Sequence, residues 1–357
     1  MASDELEHAH IPRARGRLRA GPAYLKALPP YPGGKRWARP AIFGLLDAVY
    51  PRASWPGLVF CDAFVGGCSV ALAAKRLGFR QILANDLATR SVITGRALLE
   101  NSTATLAPCD VLRLFDVLGS RPVRPTALLG RLPEPLADFL ARAWPYAETY
   151  PGPKADLARL VLIKWTLSFF PLGLPSATDS WRIRDGDLDP VTSPRLSHYL
   201  SRQKQMLNPS YLLKLADQVN AGVFPGEARV CQQDVFRFLP NIEADALYLD
   251  PPFGSTQSYE RAFRLLDEFI GDDHEEVSSF SGRQPPIDEL LEACRHIPVV
   301  ILSLGNALSD EEGVRALMSR HRRVLRVLSV PYRHYGAVAS PSKSAANREF
   351  LVLGTLK

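Results

Sequence analysis

Four aspartates in this 357-residue chain stand where apolar runs end: Asp62 in "GLVFCDAF", Asp86 in "QILANDL", Asp234 in "ARVCQQDV" and Asp250 in "ADALYLDPPF". Each run reads as a strand, and the crevice beyond the carboxyl ends of strands is where open α/β sheets bind ligands. A single aspartate at such a place is most often a turn cap. Four of them, converging on one cleft, suit a ligand with several polar groups. Between the first two lie Gly66 and Gly67, followed by Cys68 and Ser69 at the start of a helix. Glycines let backbone pass close to a ligand, and a helix N-terminus favours negative charge such as a carboxylate. Asp86 follows Gly66 by twenty residues, the interval at which an acidic residue meets ribose hydroxyls in dinucleotide sites. A nicotinamide dehydrogenase satisfies that pair equally well, so the stretch after Asp250 has to discriminate. There Pro251 and Pro252 stop the strand, because proline has no N–H for the ladder, and Phe253 follows.

The elements that must position these residues alternate. "AIFGLLDAVY" has helical periodicity, "GLVFCDAF" is a strand, and "SVALAAKRLG" is a helix closed by Gly78. "QILANDL" is a strand and "TRSVITGRALLEN" a helix, which is the pattern of a parallel sheet covered by helices. From 101 to 227 the alternation gives way to helical pieces and loops rich in Pro, Arg and aromatic residues. We read this as an inserted, mostly helical domain. Strands resume with "ARVCQQDV", "ADALYLD" and "IPVVILSLG", the last two separated by helices "YERAFRLLDEFIG" and "PIDELLEACRH". "RVLRVLSVPY" and "REFLVLGTL" make a terminal strand pair joined by a long loop. The fold class is α/β.

Composition excludes several alternatives. At 46% hydrophobic and 22% charged the chain is expected to form ordinary globular cores. No apolar run approaches bilayer-spanning length and the N-terminus lacks a secretion-signal core, so no membrane partner and a cytoplasmic, nucleoid-associated location are expected. Five cysteines without a C-x-x-C pair indicate neither a zinc site nor a disulfide framework, and no metal is expected. The net charge of +6 is concentrated in an N-terminal arm (Arg13, Arg15, Arg17, Arg19) and in "SRHRRVLR" at 319 to 326. Such blocks suit a polyanionic partner, and a merely solvated basic surface gives the same pattern.

"DAFVGGCSVAL", "ANDL" and "LYLDPPF", preceded by "YPGGK", resemble in type and order the motifs of the DNA adenine methylase (Dam-like) family. The resemblance covers about 30 to 100 and 228 to 355. It implies a Rossmann-like methyltransferase sheet with a terminal antiparallel strand pair, S-adenosylmethionine as methyl donor, and N6 of adenine in double-stranded DNA as acceptor. It also implies a division into a basic arm (1–22), a methyltransferase domain (23–100 and 228–357) and a target-recognition insertion (101–227). Carried over by position, it places Tyr31, Gly33, Gly34, Lys35, Asp62, Phe64, Gly66, Gly67 and Ser69 around the methionine part of the donor. Asp86 would hold the ribose, and Asp234 with Val235 the donor's adenine. Asp250, Pro251, Pro252 and Phe253 become the catalytic residues. Two positions depart from the family pattern: Cys68 stands where a third glycine is usual, and Phe253 where tyrosine is commoner.

The chemistry explains why such a motif is needed. An exocyclic amine is a poor nucleophile because its lone pair is delocalised into the ring. The Asp250 carboxylate and the Pro251 carbonyl can each accept one of its hydrogens, favouring a pyramidal nitrogen aimed at the methyl group. The base must first leave the duplex, and Phe253 offers a stacking surface for it. Arg182, Arg184, Arg195, Arg202 and Lys204 in the insertion are candidates for phosphate or guanine contacts. A cognate restriction nuclease or defence-system subunits are the possible protein partners. Two rival functions stand beside this one: methylation of RNA adenine or of cytosine N4, and a non-catalytic nucleic-acid-binding subunit of a defence system.

Overall fold

Alternation of side chains along each strand builds the fold, because successive residues of a strand face opposite sides of a sheet. The computed structural model describes residues 22–31, 33–116, 134–169, 207–252, 263, 266–267, 269–272, 280, 285–331 and 347–357, with backbone alone at 183–184 and 187–188. The seven sheet strands are Val59–Asp62 (β1), Gln81–Asp86 (β2), Glu227–Gln232 (β5), Ala246–Leu249 (β6), Val299–Gly305 (β7), Arg323–Pro331 (β8) and Arg348–Thr355 (β9). The two-residue strands Ile183–Arg184 (β3) and Asp187–Leu188 (β4) pair with each other, apart from that sheet.

The sheet order is β5-β2-β1-β6-β7-β9-β8. The first five strands are parallel, and β9 runs antiparallel between β7 and β8. The expected α/β class with a terminal antiparallel pair is therefore found. From β1 the chain steps outward to β2 and β5, then returns to place β6 on the other side of β1. The junction between β1 and β6 is thus a switch point, where the loops leave in opposite directions and open a crevice.

Phe60, Ile82, Tyr248 and Ile301 belong to one core, and Val59, Cys61, Leu247 and Val300 to the other, as the period of two requires. The first core is closed by helices Arg39–Asp47 (α1), Ser69–Leu77 (α2), Thr89–Gly95 (α3), Pro108–Asp116 (α4), Glu134–Glu148 (α5), Pro153–Phe169 (α6) and Pro209–Asn220 (α7). The second is closed by Val235–Phe238 (α8), Ile287–Ala293 (α9) and Glu311–His321 (α10). Four of the first set, α4 to α7, lie within the 101–227 stretch. Their buried residues, including Trp144 and Trp165, join the same core as α2 and α3.

Two local features refine the sequence reading. Helix α2 ends at Gly78 in the left-handed conformation, φ 85°, as a glycine C-cap does. The helix expected over "TRSVITGRALLEN" instead changes at Gly95 into a π turn, Arg96–Glu100. Gly95 faces β5 so closely that a Cβ there would lie 3.0 Å from Val230. The basic block at 319–326 is also not one uniform surface. Arg322 is 2% exposed, and its guanidinium donates to the carbonyls of Ile297, at 2.5 Å, and Cys294. Its neighbours Arg320 and His321 both meet Asp288, at 2.9 and 2.8 Å.

Candidate active site

The crevice at the switch point contains a cavity of about 390 Å³, a volume in the range of small-ligand sites. Tyr31, Gly33, Gly34, Lys35, Asp62, Phe64, Gly66, Gly67, Ser69, Asp86, Asp234 and Val235 all line it, together with Asp250 and Pro252. Residues from five separate stretches of the chain are brought together there. Pro251 is buried and is not among the lining residues. Phe253, Arg182, Arg195, Arg202 and Lys204, the N-terminal arm and the 332–346 loop lie outside the described residues, and Arg184 is described only as backbone in β3.

The glycine turn has a steric reason. The Tyr31 ring lies against it, so that a Cβ on Gly67 would fall 2.7 Å from the Tyr31 Cβ, and one on Gly66 would fall 3.1 Å from the ring edge. Gly66 has φ 46°, a left-handed value that glycine adopts freely. Cys68 adopts φ 64° and is the one non-glycine residue with positive φ among the described residues. It occupies the position where the family pattern has glycine, at a cost of about 1–2 kcal/mol for an L side chain. The turn keeps its shape despite the substitution.

Asp86 is a structural clamp as well as a lining residue. Its Oδ2 accepts the Gly66 N–H at 2.7 Å and its Oδ1 accepts the Ala88 N–H at 3.0 Å, tying the end of β2 to the glycine turn. Burial raises its pKa, against the pull of those N–H groups. Asp234 is exposed and caps α8, accepting the Phe236 N–H at 2.9 Å. Asp62 is 2% exposed, and its Oδ1 has no hydrogen-bond partner among the described residues. Burial first, then the nearby charges of Asp250 and Asp86, push its carboxyl up to about 8.

Asp250 is different because a cation is built in beside it. The Lys35 ammonium lies 2.8 Å from Asp250 Oδ1 and 2.9 Å from Glu349 Oε1, and also donates to the Gly33 carbonyl at 3.2 Å. Burial pushes the Asp250 carboxyl up to about 7; Lys35 lowers it and Glu349 raises it.

Several site residues gave no sequence signal. Arg90 of α3 lines the cavity, pairs with the buried Asp267 and lies 4.0 Å over the Phe263 ring. Phe263 in turn packs on Tyr31, with ring centroids 5.2 Å apart. Burial, with the Arg90 charge opposing it, pushes the Tyr31 hydroxyl up to about 12. Asn85 joins β2 to the chain beyond β5 by donating to the Gln233 carbonyl at 3.0 Å. Asn85, Asp267 and Glu349 each stand beside another polar residue, Asp86, Glu268 and Arg348, and so read as ordinary polar positions. Only the fold shows that they meet.

Residues 31–116, which hold Tyr31, Lys35, Asp62, the glycine turn and Asp86, match the family model of the D12 class N6 adenine-specific DNA methyltransferases. The chain is a DNA adenine methyltransferase. Among curated proteins it is similar to the Type II methyltransferase M2.HphI of Haemophilus parahaemolyticus, 26% identical over 317 residues, covering 82% of this chain and 89% of that protein. Among solved structures it is similar to the rRNA methyltransferase aviRa from Streptomyces viridochromogenes, with 14% identity, a TM-score of 0.35 and 94% and 93% of the two chains covered. A Thermoplasma acidophilum protein matches with 11% identity, a TM-score of 0.33 and coverage of 89% and 88%. The enzyme requires a methyl donor, and the cavity at the switch point is where the glycine turn and the acidic strand ends converge.

Proposed function

We propose that the enzyme transfers a methyl group from S-adenosylmethionine to N6 of an adenine turned out of a specific double-stranded DNA sequence. The observation that carries this reading is the meeting of four strand-end aspartates and the glycine turn in one cavity. The cavity fits that donor. Asp62 Oδ1 is a buried acceptor without a partner among the described residues, which suits the donor's ammonium. Tyr31, Gly33, Gly34, Lys35, Phe64, Gly66, Gly67 and Ser69 surround the same part. Asp86 is available to ribose hydroxyls through lone pairs beyond its two backbone bonds, since a carboxylate has about four acceptor sites. Asp234 and Val235 would flank the adenine. When bound, the donor supplies an electrophilic methyl group.

The chain's own residues act on the acceptor. Asp250 and the Pro251 carbonyl accept hydrogen bonds from the two N6 hydrogens, with Pro252 stiffening the turn, and Lys35 favours the carboxylate form of Asp250 against its burial. Phe253 stacks on the extruded base. Asp250 acts as an acceptor aimed at charge developing on the nitrogen, which is how preorganised dipoles lower such barriers.

On this reading 23–100 and 228–357 form the methyltransferase domain, 1–22 is a basic arm, and 101–227 carries target recognition through Arg182, Arg184, Arg195, Arg202 and Lys204. A cognate restriction nuclease is the partner class suggested by a relative named as a Type II methyltransferase. The D12 match favours adenine in DNA over RNA or cytosine N4. The test is expression in a methylation-free bacterial host, with single-molecule sequencing of its DNA, beside the Asp250→Asn variant. N6-methyladenine in one recurrent motif, absent with the variant, supports the reading. Methylation that survives Asp250→Asn overturns the role of Asp250, and modified cytosine overturns the acceptor.

A further inference from the structure

Among the described residues the Lys35 ammonium meets oxygens of Gly33, Asp250 and Glu349, and the last comes from the far end of the chain. A lysine has three N–H donors. Here they face Gly33 O, Asp250 Oδ1 and Glu349 Oε1. Glu349 is 2% exposed near the start of β9, in register with Gly305 of β7 and Val330 of β8. Because β9 runs against β7, its first residues lie at the carboxyl edge of β6 and β7, beside Asp250. The neighbours Phe350 and Leu351 show that this strand otherwise buries apolar side chains. A carboxylate is costly in such a place unless it is paired, and the hydroxyl of Ser303 on β7 donates to Glu349 as well.

We propose that Glu349 is a positioning residue for methyl transfer, fixing Lys35 against Asp250 and setting the charge felt by that carboxylate. The inference rests on Asp250 being the acceptor for the N6 hydrogen. A Lys35–Asp250 pair alone fixes the ammonium less firmly on its four-carbon stem; a second carboxylate on the same nitrogen holds it in one place. Glu349 has an electrostatic effect in addition. Both carboxylates reach the same nitrogen, so their oxygens are within about 6 Å of each other, a range in which a like charge raises a carboxyl pKa. Glu349 therefore makes Asp250 a more basic acceptor, while Lys35 opposes that rise and favours the carboxylate. The charged and titratable groups facing Asp250 are Lys35 from the N-terminal loop, Glu349 from β9, Tyr248 from β6 and Asp62 from β1.

The experiment compares the full-length enzyme with Glu349→Gln and Glu349→Asp, and with Asp250→Asn as the control for the site. Turnover is read from pH 5 to 9 with tritiated S-adenosylmethionine and unmethylated bacterial genomic DNA, both saturating, and donor affinity is measured separately by calorimetry. For Glu349→Gln we expect turnover to fall roughly 10- to 100-fold, the acid limb to move down by about one pH unit, and donor affinity to stay within about twofold of wild type. Glu349→Asp, which keeps the charge, should leave the acid limb in place while lowering turnover. A Glu349→Gln limb at the wild-type pH, or a loss of donor affinity in step with turnover, overturns the proposal. If the Gln variant does not fold, Glu349→Asp decides: wild-type turnover overturns the proposal, and reduced turnover with unchanged donor affinity and acid limb supports it. Asp250→Asn distinguishes the two levels, because turnover retained there removes the site reading itself.

Discussion

Replacing Asp62 by asparagine removes a charge and keeps the shape, so it isolates what burying that charge does to the free enzyme. Burial, then Asp250 and Asp86, raise the carboxyl from its ordinary 3.8 to about 8. Each pH unit corresponds to about 1.4 kcal/mol, so the whole displacement sets a ceiling of about 6 kcal/mol above pH 8. An effective dielectric of about 20 rather than about 4 around buried charges reduces this to about 2–3 kcal/mol. The sign follows from linkage. The folded carboxyl holds its proton more tightly than the unfolded one, so this group's contribution to stability is greatest below about pH 4. It declines as pH rises from about 4 to 8 and is level above that. Thermal unfolding of wild type and Asp62→Asn without donor at pH 5, 6.5 and 8.5 checks this. The variant should gain on wild type by about 4–6 °C between pH 5 and 8.5, at about 2 °C per kcal/mol for a chain of this size. The same variant should bind S-adenosylmethionine at least about tenfold more weakly, having lost a charge-assisted hydrogen bond. A difference in melting temperature that is constant across pH refutes the burial argument; unchanged donor affinity refutes the role assigned to Asp62.

Two other substitutions test particular packing claims. Gly67→Ala sets a methyl 2.7 Å from the Tyr31 Cβ and should cost about 1–3 kcal/mol in unfolding free energy. Tyr31→Gly in the same chain, which removes the Tyr31 Cβ as well as the ring, should recover most of that loss in a double-mutant cycle, and additive losses would mean the contact is not the cause. Arg322→Met should cost about 3 kcal/mol or more in denaturant unfolding by leaving the Ile297 and Cys294 carbonyls without their donor. The salt slope of DNA binding should be unchanged in that variant, whereas a slope reduced by about one would make Arg322 a phosphate contact instead.

The strands, and the cavity-lining residues at their ends and in the glycine turn, were legible because both depend on local pattern. Apolar runs ended by Asp62, Asp86 and Asp250 identify the carboxyl edge of a sheet, and the glycine turn needs only its neighbours in sequence to be recognised. What was not legible depends on long-range placement. Nothing near Glu349 in the sequence points to Lys35; they meet because β9 reverses direction and enters the sheet between β7 and β8. Arg90 and Asp267, 177 residues apart in sequence, likewise meet only in the fold. Arg322 shows the opposite error of composition: a charge inside a basic block reads as surface, yet its donors satisfy carbonyls in the interior. The π turn after Gly95 has no local marker except the glycine, whose value lies in its distance to Val230.

The two central aspartates differ in a way that assigns them different work. Both are buried, and burial drives both toward the neutral form. Asp250 has Lys35 at 2.8 Å, so its charge is compensated whether or not anything is bound. Asp62 has no ion pair among the described residues and leaves Oδ1 without a hydrogen-bond donor. A group needed as an acceptor during the reaction must be ionised when the acceptor base arrives, and a built-in cation favours that form. A group that recognises a cationic ligand gains most when its own cation is missing, because the ligand then relieves a desolvation cost already present in the free enzyme. Asp62 would therefore acquire its partner with the donor, while Asp250 keeps its own throughout. Moving the cation, by removing Glu349 or by giving Asp62 a lysine neighbour, should weaken transfer in the first case and donor binding in the second.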